Sequence, residues 1–292
     1  MANTFLTPSI IAKEALMVLR NNAVMANLVH RDYSDEFVAG VGDTITVRKP
    51  ATFVANEFNG SGITVQDATE SGVTVKMDKH LDVSFAVTSK QLSMDIADFS
   101  EQLLIPAMKA FADKVDAYLI GLEKDITNRV SHASGDIAPA DIIAARKFLT
   151  EKAAPLTDRR LICGSQAEAD LLGNQLFVSA EQVGDEGTAL REASLGRKFG
   201  FDIYVDQNAD NASETYTPSI AFHKNAFALV TRPLALPKGA ADASIISYDG
   251  LGLRVVYGYD LNTKKDTISI DMLCGVKTLD ANLAAVIADT RA

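Results

Sequence analysis

Two stretches of alternating apolar and polar residues, 42–50 and 72–88, constrain the folds open to this chain more than anything else in it. Alternation with a period of two marks a strand that buries one face. Between them lies a tip of small and polar residues carrying Asn59-Gly60-Ser61-Gly62, a strong turn signal. The pair reads as a β-ribbon whose longer arm, at ~3.3 Å per residue, reaches roughly 50 Å. Pro50 has no N–H to give to a ladder, so the outgoing arm is an edge strand or carries a bulge there. A two-stranded ribbon alone is marginal in water and needs other surface to lie on. Phe53 and Phe58 stand in the polar tip, where they pack either on their own domain or on a neighbouring copy. The ribbon therefore points to assembly before it points to catalysis.

The ribbon feeds an amphipathic segment. Asp98-Phe-Ser-Glu101 has the form of a capping box. Phe99, Leu103, Ala107, Phe111, Val115, Leu122, Ile126 and Val130 then recur at three- or four-residue steps and make one apolar stripe. A continuous helix to Val130 spans ~50 Å by its rise per residue. Pro106 removes an interior hydrogen bond, which predicts a kink. Asp113, Lys114, Asp116, Lys124 and Asp125 fall largely off the stripe, and the two helical aspartates read as a solvated face. Ahead of the ribbon, residues 8–30 form a first helical element that begins near Pro8 and places Ile11, Ala15 and Val18 or Leu19 on one side. Its Lys13 and Arg20, with Arg31 beyond, read as a solvated face.

From Ile137 the texture changes to a compact α/β unit over residues 136–238. A helix over 140–152, a strand over 160–163 and a short helix over 166–172 lead to a polar loop at 179–188. A strand over 201–205, an Asn- and Asp-rich loop over 207–217 expected to be exposed, and strands over 219–222 and 226–230 follow. Residues 244–283 are β-rich again and are expected to complete the sheet on which the long helix packs.

Composition narrows function. The 292 residues are 47% hydrophobic and 23% charged with a net charge of −10, an ordinary globular balance for one large domain or two moderate ones. No Lys/Arg cluster exists to displace counterions from phosphates, which leaves at most local, non-specific contact with nucleic acid. Cys163 and Cys274 lie far apart in apolar runs and read as buried free thiols, consistent with cytosolic folding. No signal-peptide pattern opens the sequence, and no apolar run approaches the ~20 residues that span a bilayer. Gly250, Gly252 and Gly258 imitate a dinucleotide fingerprint, but Val255 occupies the third glycine position and the following residues are strand-like. The loop over 196–200 lacks the Walker lysine. His30, His80, His132 and His223 are dispersed without metal-ligand spacing, and Ser165 is not in a nucleophile elbow. The expectation is no catalytic, cofactor or metal site.

The order of elements resembles the major capsid (coat) proteins of tailed bacteriophages, particularly the short-tailed type. The resemblance is carried by Gly42-Asp-Thr-Ile-Thr-Val-Arg-Lys-Pro50, by the returning arm to Phe85-Ala-Val-Thr88, by Asp98-Phe-Ser-Glu101 through Pro106 to Lys114-Val-Asp116, and by Arg232-Pro-Leu234. It implies an α+β major-capsid fold. Residues 1–41 would be an N-terminal arm and 42–88 an extended β-hairpin loop. Residues 89–135 and 239–292 would be a peripheral domain with a spine helix and sheet, and 136–238 an axial domain. It further implies subunit contacts at Phe53, Phe58 and Asn59 in the ribbon tip and at Asp185, Glu186 and Arg191 in the axial loop. Copies would close through pentamers and hexamers into an icosahedral virion capsid around double-stranded DNA, assembled in the bacterial host cytoplasm. A separate scaffolding protein and a portal would assist, with no cofactor and no membrane. Two rivals stand beside this reading: a cellular nanocompartment shell of the same fold, and an α/β enzyme whose site in residues 136–238 has no recognisable motif.

Overall fold

The returning arm of the ribbon is two strands, in two different sheets. The computed structural model describes residues 8–36, 42–49, 53–57, 60, 65–66, 71–88, 103–130, 137–178, 193, 195–211, 216–239, 242–248 and 251–290. In it, β1 (Thr44–Lys49) pairs antiparallel with β2 (Ser71–Lys76), and the arm then breaks at Met77 and Asp78. The continuation, β3 (Lys79–Thr88), pairs with β12 (Lys265–Thr278). The paired ribbon is therefore about 20 Å long by its strand rise, and the longer reach expected from the sequence is not realised.

Strands β9 (Phe227–Arg232), β10 (Asp242–Tyr248) and β11 (Leu251–Asp260) join β12 and β3 in an antiparallel sheet of order β10-β11-β12-β3, with β9 against residues 273–278 of β12. Alternation puts Leu253, Val255, Ile268, Ile270, Met272 and Cys274 on one buried face. Two helices cover that face. Helix α1 (Pro8–Asn22) contributes Ile11, Ala12, Ala15, Leu16 and Leu19, and α2 (Ile105–Ile120) contributes Met108, Phe111, Ala112, Val115 and Leu119. The expectation that the C-terminal strands complete the sheet beneath the long helix holds here.

The second sheet is mixed and has the order β4-β13-β8-β5-β7-β6, from β4 (Arg129–Val130), β5 (Arg159–Cys163), β6 (Arg197–Lys198), β7 (Phe201–Val205), β8 (Tyr216–His223) and β13 (Ala284–Thr290). Its central strands β13, β8 and β5 are largely apolar on both faces. Leu161, Cys163, Ala221, Ala285 and Ile287 face helix α3 (Pro139–Glu151), while Ile162, Ile220, Phe222, Ala284 and Val286 belong to the core under α1 and α2. A doubly covered sheet needs such near-continuous apolar runs. Helices α4 (Ser165–Gly173) and α5 (Gln175–Val178) flank it. The change of sheet does not follow residue 238: β9, before it, lies in the five-stranded sheet, and β13, after it, lies in the six-stranded one.

Two further expectations are corrected. Regular α-helix stops at Ile120. A 3-10 turn at Gly121–Asp125 follows, and Val130 pairs in β4 with Ile287. Glycine at 121 weakens the helix, and Ile126 and Val130 are buried or packed on the core without helical winding. Pro106, where a kink was expected, stands at the start of the regular winding of α2, directly after a π-wound pair at 103–104, and residues 89–102 lie outside the described ones. The stretch 207–217 is not wholly exposed: Gln207–Asn211 is a 3-10 turn with Ala209 buried, and Thr217 is buried in β8. The capping box at 98–101 and the polar loop at 179–188 lie outside the described residues.

Candidate assembly surface

The ribbon has two ends of different character. At its base, Ile45, Val47, Val75 and Met77 turn one face onto Ala228, Val230 and Leu279 and form a small core of their own. Gly275 allows the close crossing with β12, since a Cβ there would stand 2.1 Å from the Lys76 carbonyl oxygen. The Met77 amide donates to the Asp43 carbonyl at 2.9 Å, and Lys49 Nζ lies 3.5 Å from Asp280. The base is thus part of the subunit's own fold.

At the tip, the ladder gives way to a side-chain clasp. The Gln66 amide receives the Val54 N–H at 2.9 Å and donates to the Val54 carbonyl at 2.5 Å. It takes the two hydrogen bonds a strand partner would take. Around this clasp stand Phe53 at 64% exposure, Val54 at 69% and Val65 at 82%. Three large apolar side chains on one polar loop are thus mostly exposed, and each contributes about 1.5–3 kcal/mol if buried. Among the residues expected to contact a neighbour, Phe53 is placed here. Phe58, Asn59, Asp185, Glu186 and Arg191 lie outside the described residues. Val54, Val65 and Gln66 were missed by sequence reasoning, although two valines inside a tip of small and polar residues were a visible signal.

The charged groups buried elsewhere are joints within the subunit. Glu123 accepts from Arg129 at 2.8 Å. Asp271 on β12 binds the Arg254 guanidinium of β11, through Nε at 2.9 Å and through Nη2, with His80 Nε2 at 3.4 Å. Arg159 is fully buried and donates to the carbonyls of Pro155 at 2.7 Å and Ala154 at 2.8 Å and to Thr150 Oγ1 at 3.1 Å. Asp116, expected on a solvated face, is 1% exposed and accepts the amides of Val24 at 2.7 Å and Ala26 at 2.8 Å. Burial pushes the thiols of Cys163 and Cys274 up to about 12, which leaves both unreactive at neutral pH. Among the described residues no group of three or more His, Cys, Asp or Glu is placed to hold a metal, and no helix is long and apolar enough to cross a membrane. Gly252 lies within β11 against Pro233, as a glycine of a strand and not of a phosphate loop.

No protein-family model and no curated protein matches the chain. Solved structures do match. A chain from Mycobacterium phage Che8 is 19% identical with a TM-score of 0.68, over 91% of this chain and 90% of that one. The capsid structure of cyanophage P-SCSP1u gives 13% identity and a TM-score of 0.61, over 86% of this chain and 84% of the other. The chain has the phage capsid fold. A virus-like particle from Pyrococcus furiosus is similar too, at 12% identity and a TM-score of 0.54, over 95% of this chain and 97% of its own.

Proposed function

We propose that this chain is the major capsid protein of a tailed phage, and that its copies close through pentamers and hexamers into an icosahedral shell around double-stranded DNA. The observation that carries the reading is a capsid fold matched along nine-tenths of both chains, joined to a ribbon tip whose Phe53, Val54 and Val65 are mostly exposed. Residues 1–41 serve as the arm, and β1, the tip and β2 serve as the extended loop, which ends where β3 enters the five-stranded sheet. Helix α2 and the five-stranded sheet form the peripheral part, and the six-stranded sheet forms the axial part, with Asp185, Glu186 and Arg191 at contacts between copies. The role is structural, not catalytic. A net charge of −10 suits a wall that confines DNA without gripping its phosphates. A scaffolding protein and a portal complete the assembly in the bacterial host cytoplasm.

The likeness to the Pyrococcus particle favours a second reading, a shell that encloses protein cargo. Electron microscopy of the purified protein, with its scaffolding partner where required, tests the shell. Nucleic acid recovered from nuclease-treated particles of the infected host separates the two readings. Monomers and small oligomers under every condition contradict both.

A further inference from the structure

Asp116 is a negatively charged residue type placed at the meeting point of three elements. From α2 its carboxyl reaches the turn after α1, where Val24 and Ala26 donate their amides to its two oxygens and the Met25 amide adds a third, weaker contribution. Asp206, just after β7, is 2% exposed, and its charge acts on Asp116. Asp206 Oδ1 accepts the Asn208 amide and side chain, both at 2.9 Å, while Oδ2 is buried with no hydrogen-bond partner among the described residues. The charges that act on Asp206 are Asp113, on α2, and Asp210, from the same loop as Asp206, whose Oδ1 holds the Ser165 amide at 2.9 Å. All four are carboxyls.

We propose that Asp116 and Asp206 form a proton-operated latch between the N-terminal segment, α2 and the loop after β7. With a proton on the pair the junction is closed. Without it two buried negative charges face each other, and the turn at residues 24–27 is loosened from the helix. Burial, and then the charge of Asp206, drives the Asp116 carboxyl up to about 7, against the pull of the amides it accepts. Burial also raises Asp206. The latch belongs to the subunit and does not depend on the capsid reading.

The direction follows from linkage. A carboxyl whose pKa is raised in the folded state keeps its proton longer when folded than when released. Its stabilisation is complete below its ordinary value near 4 and is lost as pH rises to about 7. His30 and His223, whose burial lowers their pKa values, act the opposite way below pH 6.5. The test must therefore be differential.

Hydrogen exchange of peptides covering residues 19–28 in the full chain, corrected for intrinsic rates, reads the latch directly. Its opening equilibrium should rise by up to about tenfold per pH unit between pH 5 and 7 and level off above, the limit for one linked proton. Asp116→Asn should remove most of that slope. Asp206→Asn, which removes the opposing charge, should bring the plateau to lower pH. Equal slopes in the wild type and Asp116→Asn overturn the latch. If Asp116→Asn does not fold, Asp206→Asn decides: an earlier plateau supports the latch and an unmoved one overturns it.

Discussion

The base and the tip of the ribbon are built from the same kinds of residue and end in opposite places. Val75 at the base is wholly buried, and Val65 at the tip is 82% exposed. The base is tied to its own subunit by a small apolar core, by the crossing over Gly275 and by the Lys49–Asp280 pair. Among the described residues the tip is tied to itself, through Gln66. One strand pair thus divides its work, the base completing a fold and the tip, on the proposed function, offering surface to a neighbouring copy. A longer ribbon would not make that division, because the register with β12 begins only two residues after β2 ends.

Substitutions at the two ends sharpen this contrast. Val75→Asp should produce the largest effect. It places an unpaired carboxylate in the base core, costing several kcal/mol, and should abolish the cooperative melt or lower it by well over ten degrees. Val65→Asp should leave melting unchanged; equal destabilisation by the two would erase the distinction between base and tip.

Asp116→Ala comes next. It strands the Val24 and Ala26 amides and should cost about 1–3 kcal/mol for each buried donor left without water or another partner. Denaturant midpoints compared with those of Asp113→Ala, at an exposed position, measure it. Gly275→Ala should follow, at about 1–3 kcal/mol, since the new methyl meets backbone and not a flexible side chain. Proteolysis of the ribbon should accelerate in that variant, with the cores intact. Gln66→Leu should be smallest for the fold, within about 0.5 kcal/mol by chemical denaturation. It should nonetheless slow assembly measured by light scattering, because the tip loses its clasp.

Asp116 also shows where the sequence stopped being legible. The stripe through Ala107, Phe111 and Val115 was correct, and those residues are buried. What periodicity could not show is a second buried row, Met108, Ala112 and Asp116, created because α1 lies along the flank of α2. The signal was present: Ala112, Leu119 and Ile120 surround Asp116 at helical spacing, and an acidic residue among them is better read as a buried acceptor than as solvated. Strand positions were legible from alternation and from apolar runs. Sheet membership was not, because β9 and β13 are both short apolar strands and nothing local records that they belong to different sheets. The helix was over-extended for the same reason, since Ile126 and Val130 keep helical spacing while filling a core as extended chain. Of the tip, Phe53 was singled out from its polar setting and is exposed, whereas the Gln66 clasp depends on a partner twelve residues away.

The central claim is that the ribbon tip joins subunits while the remainder folds without it. Replacing residues 53–70 with a short Gly-Ser turn and following the product by analytical sedimentation tests it most directly, with circular dichroism and thermal melting as the control for folding. The account predicts a folded subunit, with a melt within a few degrees of the wild type, that sediments as free subunits or capsomers and never as closed shells. Normal shells from the shortened chain would contradict it, as would a chain that fails to fold.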